Sequence, residues 1–215
     1  MKRSSVVLLL ALALAMYLPA GDQYSPNANG AADASEVAIG FTGGSVWTSN
    51  TTGICMWHFP VVGNLDLKSL FATDSSGAPA VDIQHSYLIW VSDFSVQFLP
   101  ATPPQYLALA PRGTATIYFS ANPGARDLRD RAKRSTWGEP VATFVRQASI
   151  VRTADGFASD TFIFSAALAS SRPFVLNGKA FNFSDLIPNG MTCFEYGQNG
   201  SSWEAGNCVA IGNRR

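Results

Sequence analysis

The chain has 215 residues, with 15 Lys and Arg against 15 Asp and Glu and two His, so its formal net charge at pH 7 is zero. A near-neutral chain has no long-range field to gather polyanions, which excludes general nucleic-acid binding. Only 14% of residues are charged while 47% are hydrophobic, and Gly and Phe are numerous, a profile of short strands and turns rather than charged amphipathic helices.

Lys2 and Arg3 precede an apolar run from Val6 to Leu18 that closes at Pro19-Ala20. This pattern predicts a signal peptide over residues 1–20, because the run of about 13 residues is short of the roughly 20 that a spanning helix needs. The expected location is secreted or periplasmic, with no integral membrane segment in the processed chain, whose formal charge would be −2. Residues 21–36 offer only Tyr24 as a sizeable apolar side chain. So little burial does not offset the entropy of ordering, and a flexible leader is expected there. A single domain is expected over residues 37–215.

From Val37 onward the hydrophobic signal has mostly period two. Val81, Ile83, Tyr87, Ile89 and Val91 hold alternate positions, and Phe94, Val96 and Phe98 resume the alternation after a slip at Ser92-Asp93; a β-bulge or a turn would produce that slip. Pro100, Pro103 and Pro104 end the segment. Residues 114–120 alternate again, with Ala115, Ile117 and Phe119 on one side. Residues 125–134 are rich in helix formers but carry only Leu128 and Ala132 as an apolar pair, predicting a short surface helix or an ordered crossover. Residues 141–152 and 157–168 read as a hairpin about the turn 153–156, with Phe162, Phe164, Ala166 and Leu168 on one face. Asn177-Gly178 supplies the two positive-φ positions of a type I′ turn. That register sets Leu176 against Lys179 and Phe174 against Phe181, and turns Phe174, Leu176, Phe181 and Phe183 to the core.

Cys55, Cys193 and Cys208 follow the apolar leader, so one intramolecular bridge at most can form. Gly197, Asn199-Gly200 and Gly206 form a loop able to return one strand beside the other, which pairs Cys193 with Cys208 and leaves Cys55 as a buried, inert thiol. The predicted fold is all-β: an antiparallel β-sandwich or partly closed β-barrel with one short charged helix or crossover.

Two groups of side chains are candidates for ligand binding. Trp47, Trp137 and Trp203 lie in segments rich in Gly, Ser or Thr, where a loop indole can stack on a sugar ring. Trp57 and Trp90 lie in strand-like runs and are expected to pack. Arg129, Arg131 and Arg134 belong to a segment with five basic and two acidic residues, suited to an anionic surface if its charges do not pair with one another. No metal or cofactor is expected, since His58 and His85 show no metal-ligand spacing. On a strand, Cys55 and His58 would point to opposite faces, which opposes a nucleophile–base pair. Asp155 and Asp160 flank a turn without a calcium-loop pattern. Asn50, Asn182 and Asn199 each begin an N-glycosylation pattern.

With no nucleophile elbow and no phosphate loop, the leading expectation is a secreted, non-enzymatic domain that binds an extracellular ligand such as a glycan. The alternatives are an extracellular hydrolase using carboxylates among Glu139, Glu195 and Glu204, and a structural subunit joined through Cys55 or a sheet edge.

Overall fold

A computed structural model describes residues 37–99, 105–110, 113–130, 133–147, 150–155, 159–198 and 203–211, with backbone alone for 105–108, 110, 150–155, 159–160 and 198. The signal peptide and leader expected over residues 1–36 lie outside the described residues.

The fold is an antiparallel β-barrel. Its staves are β1 (Val37–Trp47), β2 (Thr52–Val62), β3 (Leu88–Ser95), β6 (Thr114–Phe119), β7 (Glu139–Arg146), β9 (Ser159–Ser171), β12 (Met191–Gln198) and β13 (Trp203–Ala210). Each pairs with the next in chain order, and β13 returns to β1, so eight strands close a simple meander. Three short strands lengthen it: β4 (Gln97–Leu99), β5 (Gln105–Ala110) and β8 (Ile150–Asp155). Ala166 sits between Met191 and Arg146, and Ile163 between Phe194 and Val151, so β7 and β8 lie in line along one edge of β9.

The meander places the tight hairpins β1–β2, β4–β5, β8–β9 and β12–β13 at one end of the barrel. The opposite end carries the long connections. Leu70 of α1 (Leu67–Leu70), Phe71, the hairpin of β10 (Phe174–Leu176) with β11 (Lys179–Phe181), and α2 (Phe183–Leu186) pack there into the main core. The β10–β11 register pairs Phe174 with Phe181 and Leu176 with Lys179, with φ of 50° at Asn177 and 79° at Gly178, as the type I′ reading requires.

The barrel is filled. Trp90 is 0% exposed, with ring centroids of Trp57, Phe41, Phe164, Phe59 and Phe144 at 5.2, 5.7, 5.8, 6.1 and 6.3 Å. Cys193 and Cys208 stand directly opposite on β12 and β13, both buried, and form the disulfide. A second, smaller core lies outside the barrel, where Ile54, Met56, Ile89 and Val91 are covered by Trp137 together with Ile83, Tyr118 and Leu128.

That outer core corrects two expectations. The pairing of β3 with β2 runs unbroken through Ser92 and Asp93, and that with β6 reaches Ser92 without a shift; the alternation shifts there because Ile89 and Val91 serve the outer core and Trp90 and Phe94 the inner one. Residues 81–87, which also alternate, form a loop before β3 rather than strand. The 141–168 hairpin forms, but Thr153 and Ala154 remain paired within β8, so the expected turn starts later. Of the two readings of the charged segment, the ordered crossover is the one seen: 3-10 turns at Pro123–Ala125 and Arg134–Thr136 lie on either side of residues 126–130, which have no helix. Asp127 there accepts from the backbone N–H groups of Arg129 and Asp130, a local bond that competes with helix.

Candidate functional site

A concavity lies on the outside of the barrel, over β13, β1 and β2. It is a groove of about 480 Å³. Alternation along β1 points Phe41 and Ser45 inward and Thr42 and Gly44 outward, so the floor is made of small side chains. Trp203, 46% exposed on β13, forms one wall; Met56 and His58 of β2 with Val81 and Ile83 of the loop before β3 form the other. The volume lies within the range of small-molecule sites.

His58 is buried beneath one wall of this groove. It is 8% exposed, sits edge-on to Phe71 at 5.6 Å, and neither ring nitrogen has a hydrogen-bond partner among the described residues. Burial pushes its pKa down to about 4, only partly offset by the charge of Asp82, so the imidazole is neutral at pH 7 and offers one donor and one acceptor. Asp82 supplies the only formal charge among the described lining residues. Its carboxylate accepts from the backbone N–H of His85 at 2.9 Å and from His85 Nδ1 at 2.8 Å. Burial acts to raise the Asp82 pKa, but these bonds outweigh it and hold the group below its ordinary value. The groove therefore combines a partly exposed indole face with a half-exposed carboxylate, which suits a ligand with both a C–H face and hydroxyl groups.

The other sequence-selected residues are dispersed. Trp137 is 0% exposed, its Nε1 donating to the Asp127 carbonyl at 3.0 Å, so its ring is in the outer core. Trp47 is partly exposed at the hairpin end of the barrel, edge-on to Phe94 at 4.9 Å. Arg129 is exposed, while Arg131 lies outside the described residues. Arg134 donates to Asp93 at 2.6 Å and lies 5.6 Å over the Trp137 ring. Lys133 pairs with Asp130 and Asp127. Arg126 is buried, donating to the carbonyls of Trp137 and Tyr87 at 2.8 Å each and to that of Ser86. Burial pushes its pKa down to about 10, still charged at neutral pH. Much of the basic excess is thus spent within the fold.

Of the three acids considered for hydrolysis, Glu139 is exposed and paired with Arg172 at 3.2 Å. Glu195 and Glu204 do meet, on the inner face near the hairpin end, lining a cavity of about 10 Å³ with Cys55, Phe94, Val96 and Phe162. Glu204 accepts from Ser45 Oγ at 2.5 Å and Trp57 Nε1 at 2.9 Å. Arg146 is also buried there, donating to Ser92 Oγ and the Asp93 carbonyl; burial lowers its pKa, against an opposing effect of Cys55. Such a space holds about one water and no sugar ring. Cys55 faces this interior and His58 the outer groove, opposite faces as expected. The side chains of Asp155 and Asp160 lie outside the described residues. Asn50 is in the exposed β1–β2 turn, Asn182 caps α2 through Ser184, and Asn199 lies outside the described residues.

Sequence reasoning selected Trp203 but passed over His58 and Asp82 as groove residues, because only the pairing of β1 with β2 and β13 brings them to one groove. The glycine pair Gly43-Gly44 inside a strand is the available signal, since interior strand glycine marks a close approach of ligand or backbone. Among the described residues, no helix is long and apolar enough to cross a membrane, and no cluster of three or more metal-ligating side chains occurs. No protein-family model, curated protein or solved structure matches the chain.

Proposed function

We propose that the protein is an exported, non-enzymatic binding domain that holds a neutral extracellular glycan in its outer groove. The observation that carries this reading is the groove of about 480 Å³ that sets the partly exposed Trp203 ring opposite the half-exposed Asp82 carboxylate. A sugar ring offers a C–H face to the indole and a hydroxyl to the carboxylate. The apolar leader supports export, as does the Cys193–Cys208 disulfide, a bond that persists in oxidising compartments. The hydrolytic alternative has less support, since its two inner carboxylates border a space too small for a sugar.

The test is a glycan-array screen of the full chain with product release read in the same wells. Saturable binding without product, weakened by Trp203→Ala and by Asp82→Ala while Tm stays near the parent value, is the expected result. Product release that is lost in Glu204→Gln would replace the binding reading with the hydrolytic one.

A further inference from the structure

The groove wall opposite Trp203 is lightly held. Val81, Asp82 and Ile83 belong to the loop between α1 and β3, in which residues 73–78 and 81–82 are exposed. Ile83 packs against the outer core. The other bonds are local: the N–H groups of Ala80, Asp82 and His85 donate to the Ala72 carbonyl at 3.0 Å, the Ala80 carbonyl at 2.9 Å and the Asp82 carboxylate at 2.9 Å. So few buried contacts place a segment at the low end of local stability. The ends of the loop are better fixed. Ala72 donates to the His85 carbonyl at 2.8 Å, Gln84 donates to the carbonyls of Pro123, Gly124 and Arg126, and Arg126 donates to those of Ser86 and Tyr87.

Behind this wall both ring nitrogens of His58 are sealed from solvent and lack a hydrogen-bond partner among the described residues. A neutral imidazole tolerates that place, but a protonated one would bring a charge and two N–H donors into it without an acceptor. The charge that acts on His58 is that of Asp82, whose carboxylate is engaged by His85. Thr42 of β1 and Ile89 of β3 pair with His58, and Phe71 lies against its edge; none of these titrates. Asp74 of the loop accepts from Ser76, Tyr87 packs against the main core, Lys68 of α1 is exposed, and Glu204 of β13 lines the barrel interior.

We infer that residues 73–83 form a lid that acid opens: protonation of His58 lifts the stretch from β2, and the groove loses that wall. The inference concerns the wall itself and holds whatever the groove binds. With the lid open, the imidazole is solvated and takes a proton near pH 6.5, whereas under the closed lid it does so only near pH 4. Opening therefore becomes more favourable as pH falls from 6.5 to 4. Asp82, held below its ordinary value, stays ionised through this window.

Amide hydrogen exchange of the full chain at pH 7.5 and pH 5 tests the lid, with rates expressed as protection factors to remove the intrinsic pH dependence of exchange. Protection at Ala80, Asp82 and His85 should fall about 30-fold at the lower pH, while that at Cys193 and Cys208 holds. His58→Phe should remove the fall, and His85→Gln should keep it. Equal protection at the two pH values, a fall that survives in His58→Phe, or an equal fall at Cys193 and Cys208 would overturn the lid. NMR titration of the His58 ring in the parent chain needs no variant: a midpoint well below 6.5 is expected, and an ordinary midpoint would overturn the sealed site on which the lid depends.

Discussion

Two buried bases show how single residues divide between holding the fold and serving a site. Arg126 and Arg129 are three positions apart in the same charged run, yet Arg126 is buried on three main-chain carbonyls while Arg129 is exposed. Arg126→Ala leaves those carbonyls without their donor and is expected to cost about 3 kcal/mol; Arg129→Ala should stay within about 0.5 kcal/mol. Paired chemical denaturation curves measure both. His58 has its own signature. It binds a proton near pH 6.5 when unfolded but only near pH 4 when folded, so between those values the unfolded state holds more protons and stability rises with pH. Acidification across that window should therefore lower stability by up to about 3 kcal/mol. In His58→Phe this part of the slope should disappear from a plot of denaturation midpoint against pH; an unchanged slope would assign it to other groups.

Among the elements, the β10–β11 hairpin and the β12–β13 pair carry the sharpest expectations. Gly178 has a positive φ but open space around an added Cβ, so Gly178→Ala should lose only the strain of a left-handed residue, about 1–2 kcal/mol. At Gly138, φ is +107° and a Cβ would lie 2.1 Å from the Phe119 carbonyl oxygen. Gly138→Ala should lower Tm further than Gly178→Ala does, and the reverse order would contradict the placement of the crossover. The Cys193–Cys208 bond closes a 15-residue separation, for which chain entropy gives about 3 kcal/mol. The double variant Cys193→Ala, Cys208→Ala should show that loss in its denaturation midpoint. These elements were legible in the sequence for a physical reason: where one face of a strand is buried, as in β6, β9 and the Asn177-Gly178 hairpin, alternation and turn chemistry agree. Strand β3 was misread because Trp137 and its neighbours cover its outer face, making both faces apolar. The crossover was left open between helix and ordered chain, since helix propensity does not register that Arg126 is needed on distant carbonyls.

At the scale of the whole molecule, closure decides where function can reside. The eight strands enclose a filled aromatic interior, and the inner carboxylates border only a water-sized space. The binding proposed for this barrel is therefore placed on its outside, where the small residues Thr42, Gly43 and Gly44 of β1 lie between β2 and Trp203 of β13. The all-β class and the disulfide could be read from local pattern. The groove could not, since its residues come from positions 42 to 203 and meet only through cross-strand register. The most direct measurement is glycan-array binding of the full chain alongside Trp203→Ala and Arg129→Gln. The account predicts saturable binding of a neutral glycan that Trp203→Ala weakens at least about tenfold and Arg129→Gln leaves unchanged; binding indifferent to Trp203, or confined to anionic glycans and lost with Arg129, would contradict it.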